Sequence, residues 1–242
     1  MIDVAKLEHL ADRAEGLIRR LESLLPAQAP PDWGAAHAFR WRRRATAFGV
    51  QALLQPVRHV APMRLSDLKN IDDQKQALEQ NTRQFVAGLP ANNVLLTGSR
   101  GTGKSSLIKA CLNAYASRGL RLIEVDKDDL VDLPDIVELV AGRPERFIAE
   151  HDEALKVALD GSVAAQSDNL LIYATSNRRH LMPEYMRENL DARHQEDGEI
   201  HPGETVEEKI SLSERFGLWV SFYPFRQDDY LAIVAHWLSS FG

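Results

Sequence analysis

Residues 93 to 109 carry the densest chemistry in the chain: Asn-Val-Leu-Leu-Thr-Gly-Ser-Arg-Gly-Thr-Gly-Lys-Ser-Ser-Leu-Ile-Lys. Gly98, Gly103, Lys104 and Ser105 occupy the fixed places of G-x-x-x-x-G-K-S. Glycines let a backbone curl until successive N–H groups converge on one anion. A helix starting there adds its dipole and its unsatisfied N–H groups. Lys104 offers an ammonium to the β- and γ-phosphates, and the Ser105 hydroxyl is a ligand type for the accompanying Mg²⁺. Ser99, Arg100, Gly101, Thr102 and Ser106 fill out the phosphate-binding stretch. The competing reading is a glycine-rich turn that binds nothing. It loses because the flanks have the required strand–loop–helix form: Val94, Leu95 and Leu96 before, and Leu107, Ile108, Cys111 and Leu112 after.

The elements around this loop follow from periodicity. Leu7, Leu10, Ala14, Leu17, Leu21 and Leu24 form a heptad-like stripe on a helix spanning residues 2 to 25. That stripe either packs on the main domain, the favoured choice, or pairs with a partner helix. Pro26 to Asp32 reads as a stiff linker, and Trp33 to about Leu54 as a further helix. Arg40-Trp41-Arg42-Arg43-Arg44 on that helix is either a basic, aromatic patch for an acidic or nucleic-acid partner, or a solvated face with its Trp tucked in. The second is favoured. Asp72 or Asp73 can cap a helix that runs to about Val86 and turns Leu78, Thr82 and Phe85 inward.

Beyond the loop, strands are expected at Leu120 to Val125, Asn169 to Ser176 and Leu218 to Phe222. Helices are expected at Asp128 to Ala141, Ile210 to Phe216, and from Asp228 onward. Residues 187 to 208 read as a polar surface loop. Strands alternating with helices imply an α/β fold with a parallel sheet covered on both faces.

Bulk properties narrow the function classes. The 242 residues, 44% hydrophobic and 26% charged, suit one good-sized domain or a domain with a small appendage. A net charge of −6 gives no general attraction to nucleic acid or anionic membrane. One cysteine excludes an internal disulfide and fits the cytoplasm, with Cys111 expected as a packed thiol. No apolar run reaches the roughly 18 residues of a membrane span, and the N-terminus has no signal-peptide core.

Several segments together resemble the AAA+ superfamily of P-loop ATPases, and within it a bacterial family of ATP-binding proteins carrying a domain of unknown function. The resemblance covers most of residues 38 to 242. It implies a three-layer αβα P-loop NTPase fold, with ATP and Mg²⁺ as cofactors. Leu65 to Phe85 is similar to the stretch that lies beside adenine in such proteins. Thr175-Ser176-Asn177 resembles sensor 1, which makes Asn177 a catalytic candidate able to orient a water. The competing reading is an Asn that merely starts a turn. Ser213-Glu214-Arg215-Phe216-Gly217 resembles the segment whose arginine reaches into a neighbouring subunit's site, making Arg215 the second catalytic candidate. The alternatives are a surface ion pair for Arg215, or Arg178 and Arg179 in its place. A homo-oligomer acting on a protein or nucleic-acid partner is implied. Pro224 to Leu231 resembles the start of the helical lid, which looks cut short. The resulting division is a helical region over 1–60, a nucleotide-binding core over 61–223 and an incomplete lid over 224–242.

One segment departs from the family pattern. Arg146 to Lys156 should be a strand ending in paired acids, yet only Phe147, Ile148 and Ala149 are apolar. Glu150, Asp152 and Glu153 fall at a spacing that suits a helix continuing onward, and about ten residues look absent. The expectations are therefore an ATPase that remodels a partner, or a nucleotide-gated binding module with little hydrolysis. A small-molecule kinase shares the loop but would need an acceptor pocket and a lid of arginines that the chain does not reveal.

Overall fold

A computed structural model describes residues 13–16, 31–46, 49–152, 167–177 and 215–240. Its centre is a seven-stranded sheet: β1 (Ala38–Thr46), β2 (Gly49–Pro56), β3 (Val94–Gly98), β4 (Leu120–Glu124), β5 (Arg146–Asp152), β6 (Leu170–Ser176) and β7 (Leu218–Phe222). The strands lie in the order β2-β1-β4-β5-β6-β3-β7. All neighbours are parallel except the β1–β2 hairpin. The α-helices beside it are α1 (Asp72–Val86), α2 (Lys104–Tyr115), α3 (Leu133–Val140) and α4 (Gln227–Ser240).

β3 is buried along its whole length, as a central parallel strand must be, with β6 and β7 on its two sides. Two apolar layers sandwich the sheet. One joins α1 and α2 through Leu78, Phe85, Leu107, Ile108 and Leu112 to Val94, Leu122 and Ile148. The other joins α3 through Leu133, Ile136 and Val140 to Trp33, Phe39, Ile123 and Phe147. The three-layer α/β architecture is therefore as expected. Beneath the first layer lies a polar knot. The fully buried Tyr173 hydroxyl accepts from Asn81 Nδ2 at 3.2 Å and shares a 2.9 Å hydrogen bond with Thr82 Oγ1. The other proton of that Asn81 amide goes to the Asn92 carbonyl at 2.9 Å, so α1 is tied to the approach to β3.

Two expectations are corrected. Trp33 to Leu54 is not a helix: β1 and β2 form an antiparallel hairpin, and β1 joins the sheet by pairing Ala38, Phe39 and Arg40 with Leu122, Ile123 and Glu124. The reason lies in burial. Phe39 and Trp41 alternate inward with period two against the α3 layer. The arginines between them find acids at the end of β4. Arg40 binds Glu124 at 2.5 and 2.9 Å, Arg42 binds Asp126 at 2.5 Å, and Trp41 Nε1 donates to Asp132 at 2.9 Å. The tucked-in Trp is thus observed, on a strand rather than a helix.

The second correction concerns Arg146 to Asp152, which is a strand rather than the start of a helix. It is flanked on both sides by β4 and β6. Phe147 and Ala149 enter one apolar layer and Ile148 the other, so three apolar residues satisfy both faces. The hydrogen-bond ladder then carries Glu150, His151 and Asp152 along to the sheet's edge. Glu153 and the segment after it lie outside the described residues, as does most of residues 2–25. Residues 13–16 are helical and exposed.

Two smaller adjustments follow the same principle. The Asp128 to Ala141 helix splits into a 3-10 stretch, Lys127–Asp132, and α3, where Pro134 lies in the first turn. The cap of α1 falls on Ile71, which places Asp72 and Asp73 inside its first turn.

Candidate nucleotide-binding site

The phosphate-binding stretch bridges β3 and α2 at the carboxyl edge of the sheet. Gly98, Gly101 and Gly103 have φ of 137°, 78° and 94°, conformations that residues with a Cβ rarely adopt. Gly98 has a second constraint. A Cβ there would stand 2.0 Å from the Phe222 carbonyl oxygen, so β7 closes against the start of the loop. α2 has no side-chain cap at Gly103. Its first internal bond runs from Leu107 N–H to the Gly103 carbonyl at 2.8 Å. By helix geometry the N–H groups of Ser105 and Ser106 have no acceptor inside the helix.

The Lys104 ammonium is buried and donates to the Gly98 and Ser99 carbonyls, each at 2.9 Å. It also donates to Asn177 Oδ1 at 2.9 Å. Thr102 Oγ1 donates to the Ser99 carbonyl at 2.7 Å and fixes the turn. Ser99 Oγ is buried with no hydrogen-bond partner among the described residues. A curled run of glycines, an uncapped helix start, a fixed ammonium and an unsatisfied buried hydroxyl form a donor set that fits a polyphosphate. The half-buried Ser105 hydroxyl fits a Mg²⁺ ligand by its chemistry.

The loop and Asn177 therefore come together, although they are far apart in sequence. The register explains it: Thr97 of β3 pairs with Ser176 of β6, which sets Asn177 level with Gly98. β5 adds Asp152, whose backbone pairs with Thr175 at the same edge. Behind it, the buried Glu150 pairs in register with Glu124. Sequence periodicity assigned neither acid to a strand end. The usable signal was that any segment lying between β4 and β6 must deliver its last residue to this edge.

The stretch expected beside adenine reaches the loop. Ile71 Cδ1 lies 3.7 Å from the position a Cβ on Gly103 would take. Asn70, at φ 61°, donates through Nδ2 to the Asp229 carbonyl at 3.1 Å. Gln74 donates to the Ser221 carbonyl at 2.8 Å. These bonds fasten the start of α1 to β7 and α4 on one side of the loop.

Arg215 is elsewhere. It is exposed and immediately precedes β7 at the opposite, amino edge of the sheet. Its carbonyl accepts from Asn93 Nδ2 at 3.5 Å. The length of β3, about 13 Å at 3.3 Å per residue, separates the two edges. Arg215 cannot serve its own loop from there. Arg178 and Arg179 lie outside the described residues.

Two cavities lie away from the loop. One of about 730 Å³ lies between residues 57–66 and the outer side of α2, and one of about 680 Å³ lies at the amino edge beside Arg215. Cys111 of α2 is packed in the first apolar layer, and burial pushes its thiol up to about 12, as expected for a structural cysteine.

Residues 34–242 match the family described as "Protein of unknown function (DUF815)". The chain belongs to that family. Among curated proteins none matches it. Its fold resembles the Orc1 protein of Aeropyrum pernix in complex with DNA, with TM-score 0.51 and 13% identity, over 73% of this chain and 53% of that one. It also resembles the Thermotoga maritima RuvB Holliday junction branch migration motor, with TM-score 0.48 and 14% identity, over 75% and 55% of the two chains. AMPPCP-bound DnaA from Aquifex aeolicus gives a TM-score of 0.46 at 16% identity, over 75% and 56%. The chain spans about half the length of these proteins. The family member described here has the AAA+ type of P-loop NTPase fold. Among its described residues no helix is long and apolar enough to cross a membrane.

Proposed function

We propose that this chain binds ATP with Mg²⁺ on residues 98–106 and hydrolyses it, coupling turnover to the remodelling of a macromolecular partner. The observation that carries this reading is the 2.9 Å hydrogen bond between Lys104 and Asn177. It joins the ammonium of the phosphate loop to an amide at the end of a neighbouring parallel strand, which is the ligand side of such a sheet. Each residue then has a role. Loop N–H groups and Lys104 hold the phosphates, and Ser105 with Asp152 supplies oxygen ligands for the metal. Asn177 orients a water. Bound Mg²⁺ neutralises charge that develops on the phosphoryl oxygens. Ile71, held by the Asn70 and Gln74 bonds, faces the base.

Arg215 acts in a neighbouring copy, which makes the active form a homo-oligomer. Its exposure at the edge away from its own loop supports this. The seven-stranded sheet with its packed helices, residues 38–222, serves as the nucleotide-binding core and α4 as the start of a lid. The partner is a protein or nucleic acid, and the setting is cytoplasmic.

A second reading has its own support. β5 reaches the edge through Glu150 and His151 rather than through further apolar residues. A poorly seated Asp152 would leave a module that binds nucleotide and turns it over slowly, if at all. Phosphate release from purified protein with ATP and Mg²⁺ decides between them. We expect release that Lys104→Ala abolishes and Asp152→Asn lowers at least tenfold with nucleotide still bound. Bound nucleotide without release supports the binding module, and absence of calorimetric binding heat removes both.

A further inference from the structure

The edge strand β2 has a feature that the nucleotide site does not use. Natural sheet edges are usually blunted by lysines, prolines or inward charges. From Gly49 to Gln55, β2 is Gly-Val-Gln-Ala-Leu-Leu-Gln, with no charge and no proline before Pro56. Val50 is 64% exposed. Only Ala38 to Arg40 of β1 pair with β4, so the rest of the hairpin overhangs the sheet as a two-stranded ribbon. A ribbon of two strands is marginal alone and gains from further strands.

The hydrogen-bond phase of this edge is fixed. Val57 N–H donates to the Ala38 carbonyl at 2.8 Å, so the pair they form exchanges ladder bonds with β1. Antiparallel pairs alternate between bonded and non-bonded. Counting along the register, Gln55, Leu53 and Gln51 direct their backbone groups at β1, opposite Arg40, Arg42 and Arg44. Val50, Ala52 and Leu54 direct theirs outward, away from the sheet. Pro56 falls at a non-bonded position, where its missing N–H costs nothing.

We propose that two copies of this chain pair antiparallel through their β2 edges, about a two-fold axis beside Leu53. In that register Leu53 stands opposite Leu53 of the second copy, and Gln51 opposite Gln55. On the other face Ala52 meets Leu54, and Val50 meets Pro56. Every outward donor is satisfied: Ala52 and Leu54 exchange N–H···O bonds across the seam, and Val50 N–H finds the Pro56 carbonyl. Like meets like on both faces, and no charged side chain lies on either seam strand. The arginine rows of the two β1 strands fall about three strand spacings apart, roughly 14 Å, beyond the Debye length of about 8 Å at physiological salt. A shift by one residue would break this, because apolar and amide side chains would exchange faces. The contact is isologous and closes at two copies. It is therefore distinct from an assembly in which Arg215 reaches a neighbour's phosphate loop.

The test uses the full chain without nucleotide. Sedimentation at micromolar concentration should give twice the monomer mass. Leu53→Lys, which sets two ammonium groups face to face, should return it to monomer while circular dichroism and nucleotide affinity stay unchanged. Under oxidation, Leu53→Cys should cross-link to a covalent dimer, since a non-bonded antiparallel pair brings Cβ atoms within about 5 Å. Ala52→Cys, opposite Leu54, should not, and wild type should not because Cys111 is buried. A monomeric wild type, a dimer that survives Leu53→Lys, or a Leu53→Cys chain that does not cross-link overturns the pairing. None of these outcomes bears on whether the loop holds ATP.

Discussion

The Lys104 ammonium and the Asn177 side-chain carbonyl meet at 2.9 Å, linking residues that are 73 positions apart in sequence. The bond depends on the Thr97–Ser176 pairing between β3 and β6. The two residues should nevertheless separate in function. Lys104→Ala removes a charge-assisted contact to phosphate and should weaken ATP binding by about 1.5–3 kcal/mol, on the order of ten- to a hundredfold. Asn177→Ala should change affinity by less than about threefold while lowering phosphate release about a hundredfold or more. Titration calorimetry and single-turnover release read the two effects. Equal losses of affinity in both variants would place Asn177 among the binding groups.

Gly98 is predicted to be intolerant of any side chain. Gly98→Ala forces a Cβ into the Phe222 carbonyl at a φ of 137°. Backbone strain and overlap together should destabilise the fold by about 2–4 kcal/mol. Gly101→Ala meets nothing within 4 Å and carries only the backbone strain, about 1–2 kcal/mol. Urea unfolding of the two variants should rank them in that order.

Arg215→Ala should leave stability within about 0.5 kcal/mol, as the side chain is exposed. Its effect should appear in assembled protein only, as a loss of roughly a thousandfold or more in phosphate release. Mixing Arg215→Ala with Lys104→Ala chains should restore part of the activity, because some interfaces then combine an intact loop with an intact arginine. No recovery on mixing would exclude a role across the interface.

Stability should fall in alkali with a contribution from Cys111. Burial raises its thiol from the ordinary 9.0 to about 12. The folded state therefore holds the proton that the unfolded chain gives up. That contribution is fully present below pH 9 and is progressively lost as the pH rises toward 12. Tyr115, raised from 10.0 to about 12 by burial, adds a similar slope that begins higher. Denaturant midpoints for wild type and Cys111→Ala should converge as pH rises above 9, provided the variant stays folded. Parallel curves across that window would mean that the thiol does not contribute.

The sequence by itself determined the phosphate loop, β3, β4, α1, α2, β6, β7 and α4. Each is set by neighbours in the chain: glycines that permit left-handed backbone, apolar residues at strand or helix period, and a strand handing directly to a helix. Local order was also enough to mark Asn177 as polar at a strand end. The tertiary structure decided the rest. Trp33 to Leu54 could have taken a helical period, and it became β1 and β2 because Phe39 and Trp41 had an apolar layer to fill, Trp41 had Asp132 to meet, and Arg40 and Arg42 had Glu124 and Asp126. Arg146 to Asp152 became a strand because β4 and β6 left a strand-wide space between them. No property of Asp152 announces that it ends beside Thr175. Pairing energy is supplied by the neighbouring strands, and those neighbours are distant in sequence, so only the assembled sheet could select that conformation and that register.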